Sequence, residues 1–216
     1  MLYYTPMDEL YNKSIALHKE KGGKLETVSK LHLDSKEALS LAYSPGVAGV
    51  SLAIQNNPSE AYNVTLKKNT VAIVSDGSSV LGLGNVGPLA AIPVMEGKAA
   101  IFKEFAGVDA FPICLDTQDT EEIIKAVKQI APVFGGINLE DISAPKCFEI
   151  EERLRKELAI PVMHDDQWGA ATVTLSGVIN ALKLRGTPKD EVRVVLSGLG
   201  AAGVATARLL LEYGIA

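Results

Sequence analysis

The side chains of this chain best suited to chemistry are carboxylates, and they recur at equivalent places. Short apolar runs end in Ser75-Asp76, in Asp116, in Glu140-Asp141 and in His164-Asp165-Asp166. A single Asp or Ser after such a run also caps a following helix, and Asp76 and Asp116 fit that use equally well. The adjacent pairs differ, because neighbouring carboxylates repel unless a cation or open solvent relieves them. Glu140, Asp141 and Asp166 form an all-oxygen donor set. It suits a hard divalent cation, Mg²⁺ or Mn²⁺, better than zinc, for which Cys and His at short spacing are expected. His164 is a zinc ligand in principle, but alone beside acids it reads as a structural or supporting group.

Two stretches match G-x-G-x-x-G, GLGNVG at 82–87 and GLGAAG at 198–203. The second directly follows the apolar run Val192–Leu196, as a dinucleotide loop follows its strand. Gly198 then makes the tight turn, Gly200 admits a pyrophosphate to the backbone, and Gly203 lets the helix pack closely. Ala201 and Ala202 open the helix that faces the phosphates. The acid that selects the ribose normally lies ~20 residues further on, beyond Ala216, so the sequence leaves NAD⁺ and NADP⁺ both open. The first match is separated from its strand by Asp76 to Leu81. It reads as a glycine-rich loop of the active crevice, with a plain turn as the alternative.

The elements that must position these groups follow from apolar period and punctuation. Asp8 to Lys21 reads as a helix stopped by Gly22-Gly23. Ser35 caps a short helix, and a helix from Gly46 to Asn57 stops at Pro58. Four buried strands are then expected at Val71–Val74, Ala110–Leu115, Gly136–Leu139 and Pro161–Met163. Between them, Thr120–Ala131 carries Ile123, Ile124, Val127 and Ile130 on one face, and Ser143 caps a helix carrying Cys147, Ile150, Leu154 and Leu158. Such alternation implies a mainly parallel sheet with helices on both sides. Ligands bind beyond the carboxyl ends of such strands, where the acids stand. A long helix from Ala170 to Arg185 and a strand at Val192–Leu196 begin a second unit.

Composition bounds the rest. With 216 residues, 47% of them hydrophobic and 22% charged, the chain is globular in kind and long enough to bury a core without a metal or disulfide staple. Twenty-one Lys and Arg against 26 Asp and Glu leave a charge of −5 without a basic block. That argues against nucleic acid and membrane as partners and for small molecules. Two cysteines in apolar surroundings, Cys114 and Cys147, read as reduced structural thiols. The absence of a leader pattern or of eighteen uninterrupted apolar residues makes a cytoplasmic location the expectation.

At this point longer blocks become informative. LSLAYSPGVA (39–48), VSDGSSVLGLGNVGPLAAIPVMEGKAAIFKEFAGVDAFPI (74–113), FGGINLEDISAPKCFEIE (134–151) and PVMHDDQWG (161–169), followed by the glycine loop, resemble bacterial-type malic enzymes. The resemblance runs from about residue 14 to the C-terminus. It implies oxidative decarboxylation of L-malate to pyruvate and CO₂ with NAD(P)⁺ and Mg²⁺ or Mn²⁺, in a homodimer. Carried over motif by motif, the family's general acid falls on Tyr43 and its general base on Lys98. Its metal ligands fall on Glu140, Asp141 and Asp166, and Asp165 matches a neighbouring position of the family; Asp76 and Asn85 are further candidates for supporting groups. Two departures stand out. HDDQWGAA replaces a more usual HDDQHGTA, putting indole for imidazole at Trp168 and methyl for hydroxyl at Ala170, which is expected to remove polar groups near the metal and nicotinamide. Ser44 replaces a common threonine.

The sequence therefore predicts an α/β fold with a helical N-terminal arm, a parallel-sheet catalytic domain to residue 169, and the beginning of a Rossmann domain over 170–216. The expected function is that of a malic enzyme acting on malate, oxaloacetate and pyruvate. The alternatives are a metal-dependent oxaloacetate decarboxylase of the same family and a catalytically silent fragment that dimerises through its arm.

Overall fold

The computed structural model describes residues 7–80 and 82–215. Helices come first: α1 (Met7–Lys21), α2 (Lys36–Ala42), α3 (Val47–Asn56) and α4 (Ala61–Val64). None of them buries a residue. Ser35 caps α2 as expected, its hydroxyl accepting from Ala38 N at 3.0 Å. The stretch Lys36–Asn56 has a mean hydropathy of 1.2, enough by composition for a membrane span. It is broken into helices of 7 and 10 residues, ~11 and ~15 Å long against a hydrocarbon core of ~30 Å.

Strands and helices then alternate: β1 (Thr70–Ser75), α5 (Gly87–Ala106), β2 (Asp109–Cys114), α6 (Thr120–Ile130), β3 (Gly136–Leu139), α7 (Lys146–Glu157), β4 (Val162–His164), α8 (Asp165–Arg185) and α9 (Ala201–Tyr213). The four strands form one parallel sheet in the order β2-β1-β3-β4. Successive side chains of a strand face opposite sides. Ala72 and Val74 join Ile137 and Leu139 against Ile123, Ile124 and Val127 of α6 and Cys147, Ile150 and Leu154 of α7. Ile73 turns the other way, onto Met95 and Ala99 of α5. Both faces are thus covered, as the alternation predicted. A fully buried side chain such as Leu154 is worth about 2–5 kcal/mol against alanine.

Leaving β1, the chain crosses through α5 to β2 on one side; leaving β3, it crosses through α7 to β4 on the other. The sheet therefore switches direction between β1 and β3, and the crevice beyond that point is where an open α/β sheet takes its ligands.

Three expectations are corrected. Val192–Leu196 forms no strand. A strand needs a ladder partner, no strand lies beside it among the described residues, and Val195 is 93% exposed. Ser143 does not cap α7 with its hydroxyl. Pro145 stands at the N-cap of that helix, and Ser143 contributes its carbonyl, which accepts from Cys147 N at 3.2 Å. The helix expected from Ala170 starts at Asp165, directly after β4, so the boundary drawn at residue 169 falls inside α8.

Candidate functional site

Glu140 and Asp141 follow β3, and Asp165 and Asp166 occupy the first turn of α8. One oxygen from each of Glu140, Asp141 and Asp166 lies within 4.8 Å of the others, the cluster the sequence predicted. Asp141 has φ 54°, left-handed for a residue with a side chain, a conformation that costs ~1–2 kcal/mol. The surroundings fix it there. Its N–H donates to Asp166 Oδ2 at 2.8 Å, and its carbonyl accepts from Ser79 N at 2.9 Å.

Burial pushes Glu140 up to about 7, against the opposing pull of Asn138 and Lys98. Burial, then the charge of Asp166, pushes Asp141 up to about 6. Asp141 Oδ2 is buried without a hydrogen-bond partner among the described residues. Oxygen donors only, one buried acceptor left without a donor, and acids that resist ionising without counter-charge fit Mg²⁺ or Mn²⁺. His164 is fully buried with Nε2 3.2 Å from Asp166 Oδ2. Burial lowers its pKa even against the pull of Asp166.

Lys98 extends from α5 into this cluster, with Nζ 2.7 Å from Asp165 Oδ2 and 3.0 Å from Glu140 Oε1. Burial alone would lower the ammonium, but the Asp165 and Glu140 carboxylates outweigh it and the pKa is raised.

The other expected residues are less close. Asp76 is fully buried; its Oδ1 accepts from Ser78 N at 2.9 Å and Ser78 Oγ at 2.6 Å, and its Oδ2 meets Lys146 Nζ at 2.5 Å. It shapes the loop after β1. Asn85 pairs reciprocally with the Gln118 amide, at 3.1 and 2.9 Å. Tyr43 ends α2 and is 68% exposed; it is not among the hydrogen-bonding or ionic partners of Lys98 or the acids. GLGNVG leads into α5 at the crevice, with Gly82, Gly84 and Gly87 all at positive φ. GLGAAG leads into α9: Gly198 has φ 98° and Gly200 stands at the N-cap. A Cβ on Gly203 would come within 2.2 Å of the Gly198 carbonyl oxygen. The turn and the close approach are those expected, although the strand before them is absent.

Trp168 makes a polar contact of its own. Its indole N–H donates to Glu151 Oε1 at 2.8 Å, toward α7, so the substitution supplies a structural hydrogen bond. Glu151 itself was missed by the sequence reading. The available signal was position, since it lies between Ile150 and Leu154 on the buried side of α7.

The family model "Malic enzyme, N-terminal domain" matches residues 22–155. An NAD-dependent malic enzyme of Geobacillus stearothermophilus is 63% identical over 194 residues, covering 90% of this chain and 41% of that protein. An NADP-dependent malic enzyme of Escherichia coli K12 is 45% identical over 209 residues, covering 96% and 28%. The crystal structure of malic enzyme from Pyrococcus horikoshii Ot3 superimposes with a TM-score of 0.93 at 55% identity, covering 95% of this chain and 48% of that one. The chain thus spans half or less of the length of these relatives.

Proposed function

This chain belongs to the malic enzyme family, and on that premise we propose that it supplies the metal site and the proton-transfer residues for oxidative decarboxylation of L-malate to pyruvate and CO₂. The observation that carries the reading is the meeting of Glu140, Asp141 and Asp166 with Lys98 at the switch point of the sheet. Glu140, Asp141 and Asp166 would hold Mg²⁺ or Mn²⁺. Bound there, such a cation supplies positive charge that polarises the C2 oxygen of the substrate, steadies the enolate left by CO₂ loss, and offsets the Glu140 carboxylate. A nicotinamide nucleotide, NAD⁺ or NADP⁺, would accept the hydride, and Gly198, Gly200, Ala201, Ala202 and Gly203 would hold its phosphates.

In this reading Lys98 takes the proton of the C2 hydroxyl as hydride leaves C2. Held charged by two carboxylates, it must first release its own ammonium proton to solvent, which a cation offsetting Glu140 would favour, before it can take the proton of the hydroxyl. Asp165 keeps its Nζ aimed at the crevice meanwhile. Tyr43, as a neutral phenol, delivers a proton to C3 of enolpyruvate. Its exposure means that the arm must dock against the crevice for turnover. The exposed apolar side chains of that arm, Leu10, Ile15, Leu17, Leu39 and Leu41 among them, support a homodimer. The catalytic and nucleotide-binding units divide within α8, and the cytoplasm is the proposed location.

The test is formation of NADH or NADPH from L-malate and Mn²⁺ by the full-length enzyme, abolished by a chelator. Absence of reduced nucleotide with saturating malate and metal would refute the oxidative reaction. A second reading, nucleotide-independent decarboxylation of oxaloacetate, draws on the fact that the acids and Lys98 all precede the GLGAAG loop. CO₂ release from oxaloacetate without nucleotide, in a protein that yields no reduced nucleotide, selects it.

A further inference from the structure

Glu151 is 5% exposed, and no cation pairs with its carboxylate among the described residues. Such a group is tolerated only where N–H donors replace its hydration. Three do so. Oε1 accepts from the backbone N–H of His164 at 3.0 Å and from Trp168 Nε1 at 2.8 Å, and Oε2 accepts from Gln167 Nε2 at 3.0 Å. These donors bracket Asp165 and Asp166, the acids presented to the crevice from the opposite side of the same turn. Asp166 in turn accepts from Asp141 N at 2.8 Å, so any rotation of the turn disturbs both halves of the acid cluster.

We infer that Glu151 is a positioning residue, a buried anionic clasp on α7 that sets the β4–α8 turn and thereby the geometry of the acid cluster. The inference rests on the metal reading above. It goes beyond it by assigning the site's precision to a side chain that never faces the metal. Trp168 is part of the clasp: its rigid ring carries an N–H to the one oxygen that also holds the backbone of His164.

Reach and hydrogen bonding, rather than charge, are what the clasp requires, and three variants separate these. Glu151→Gln keeps an oxygen for His164 and Trp168, while Gln167 turns its amide to offer an oxygen to the new NH₂. Glu151→Asp keeps the charge but falls one methylene short. Glu151→Leu leaves three donors unpaired. The readouts are Mn²⁺ affinity by calorimetry and, without metal, the emission of Trp168, the sole tryptophan of the chain. We expect Glu151→Gln to bind Mn²⁺ within about threefold of wild type, and Glu151→Asp and Glu151→Leu to bind at least about tenfold more weakly. Their Trp168 emission should also be red-shifted. Wild-type Mn²⁺ affinity in folded Glu151→Asp overturns the inference, as does equal weakening in Glu151→Gln. If Glu151→Leu fails to fold, the Asp and Gln variants still decide. If the wild type binds no Mn²⁺, the metal reading falls. The clasp is then upheld by a Trp168 shift in Glu151→Asp that is absent in Glu151→Gln, and overturned without it.

Discussion

Lowering the pH from 8 to 6 should cost this site most of its metal affinity, and the structure sets the size of the loss. Glu140 at about 7 and Asp141 at about 6 are raised chiefly by burial, and a divalent ion binds their ionised forms. If the two titrate independently, competition by protons weakens binding about 22-fold at pH 6 and about 1.1-fold at pH 8, a net change of about 20-fold. The same occupancies require about 1.4 protons to be released per ion at pH 6 and about 0.1 at pH 8. Titration calorimetry with Mn²⁺ in two buffers of different ionisation enthalpy measures both quantities. The sign for stability follows as well. An acid whose pKa is raised on folding favours the fold while protonated. The contribution of these two acids to the stability of the metal-free protein should therefore be lost as pH rises from about 4 to 7, opposed below about 6.5 by His164, whose pKa burial lowers, and Mn²⁺ should restore it at pH 8. An affinity constant within twofold from pH 6 to 8, with no buffer-dependent heat, would refute the reasoning.

Asp166→Asn keeps an oxygen for Asp141 N but removes an anionic donor; Mn²⁺ binding should weaken at least about tenfold by calorimetry, ~1.4 kcal/mol. Gly77→Ala should lower the thermal midpoint more than Gly84→Ala. Both positions have positive φ, but only at Gly77 would the new Cβ meet a backbone oxygen, that of Gly87, at 2.2 Å, adding ~1–2 kcal/mol to the shared strain. In the full-length enzyme, Lys98→Ala should slow malate oxidation by about 10²–10⁴ in single-turnover NADH formation. Tyr43→Phe should instead slow deuterium incorporation at C3 of pyruvate when enolpyruvate is supplied in labelled water.

What the sequence disclosed was local. β3 falls on the expected residues and β1, β2 and β4 lie within a residue at each end, because a continuous apolar run bounded by polar residues has few other uses in an α/β chain. The acids were legible for the same reason, each being tied to the end of a run. What escaped depends on partners distant in sequence. Val192–Leu196 has the composition of a strand, yet pairing decides whether it is one. Lys98 carried no sign that Asp165 and Glu140 would hold it charged. Trp168 looked like a loss beside the metal because its direction is set by Glu151, seventeen residues earlier and on another helix. The cap expected at Ser143 yielded to Pro145, which occupies the N-cap position and offers no side-chain acceptor.

The continuity of α8 has a mechanical consequence. Its first turn carries Asp165 and Asp166, and the rest of the same 21-residue helix packs against α9, the helix that opens at the GLGAAG loop. At ~1.5 Å per residue it is a strut ~31 Å long, and a tilt of ~2° about its middle displaces each end by ~0.5 Å, about the tolerance of a productive constellation. Any tilt of α8 is therefore shared by the acids of its first turn and by the helix that opens at the glycine loop.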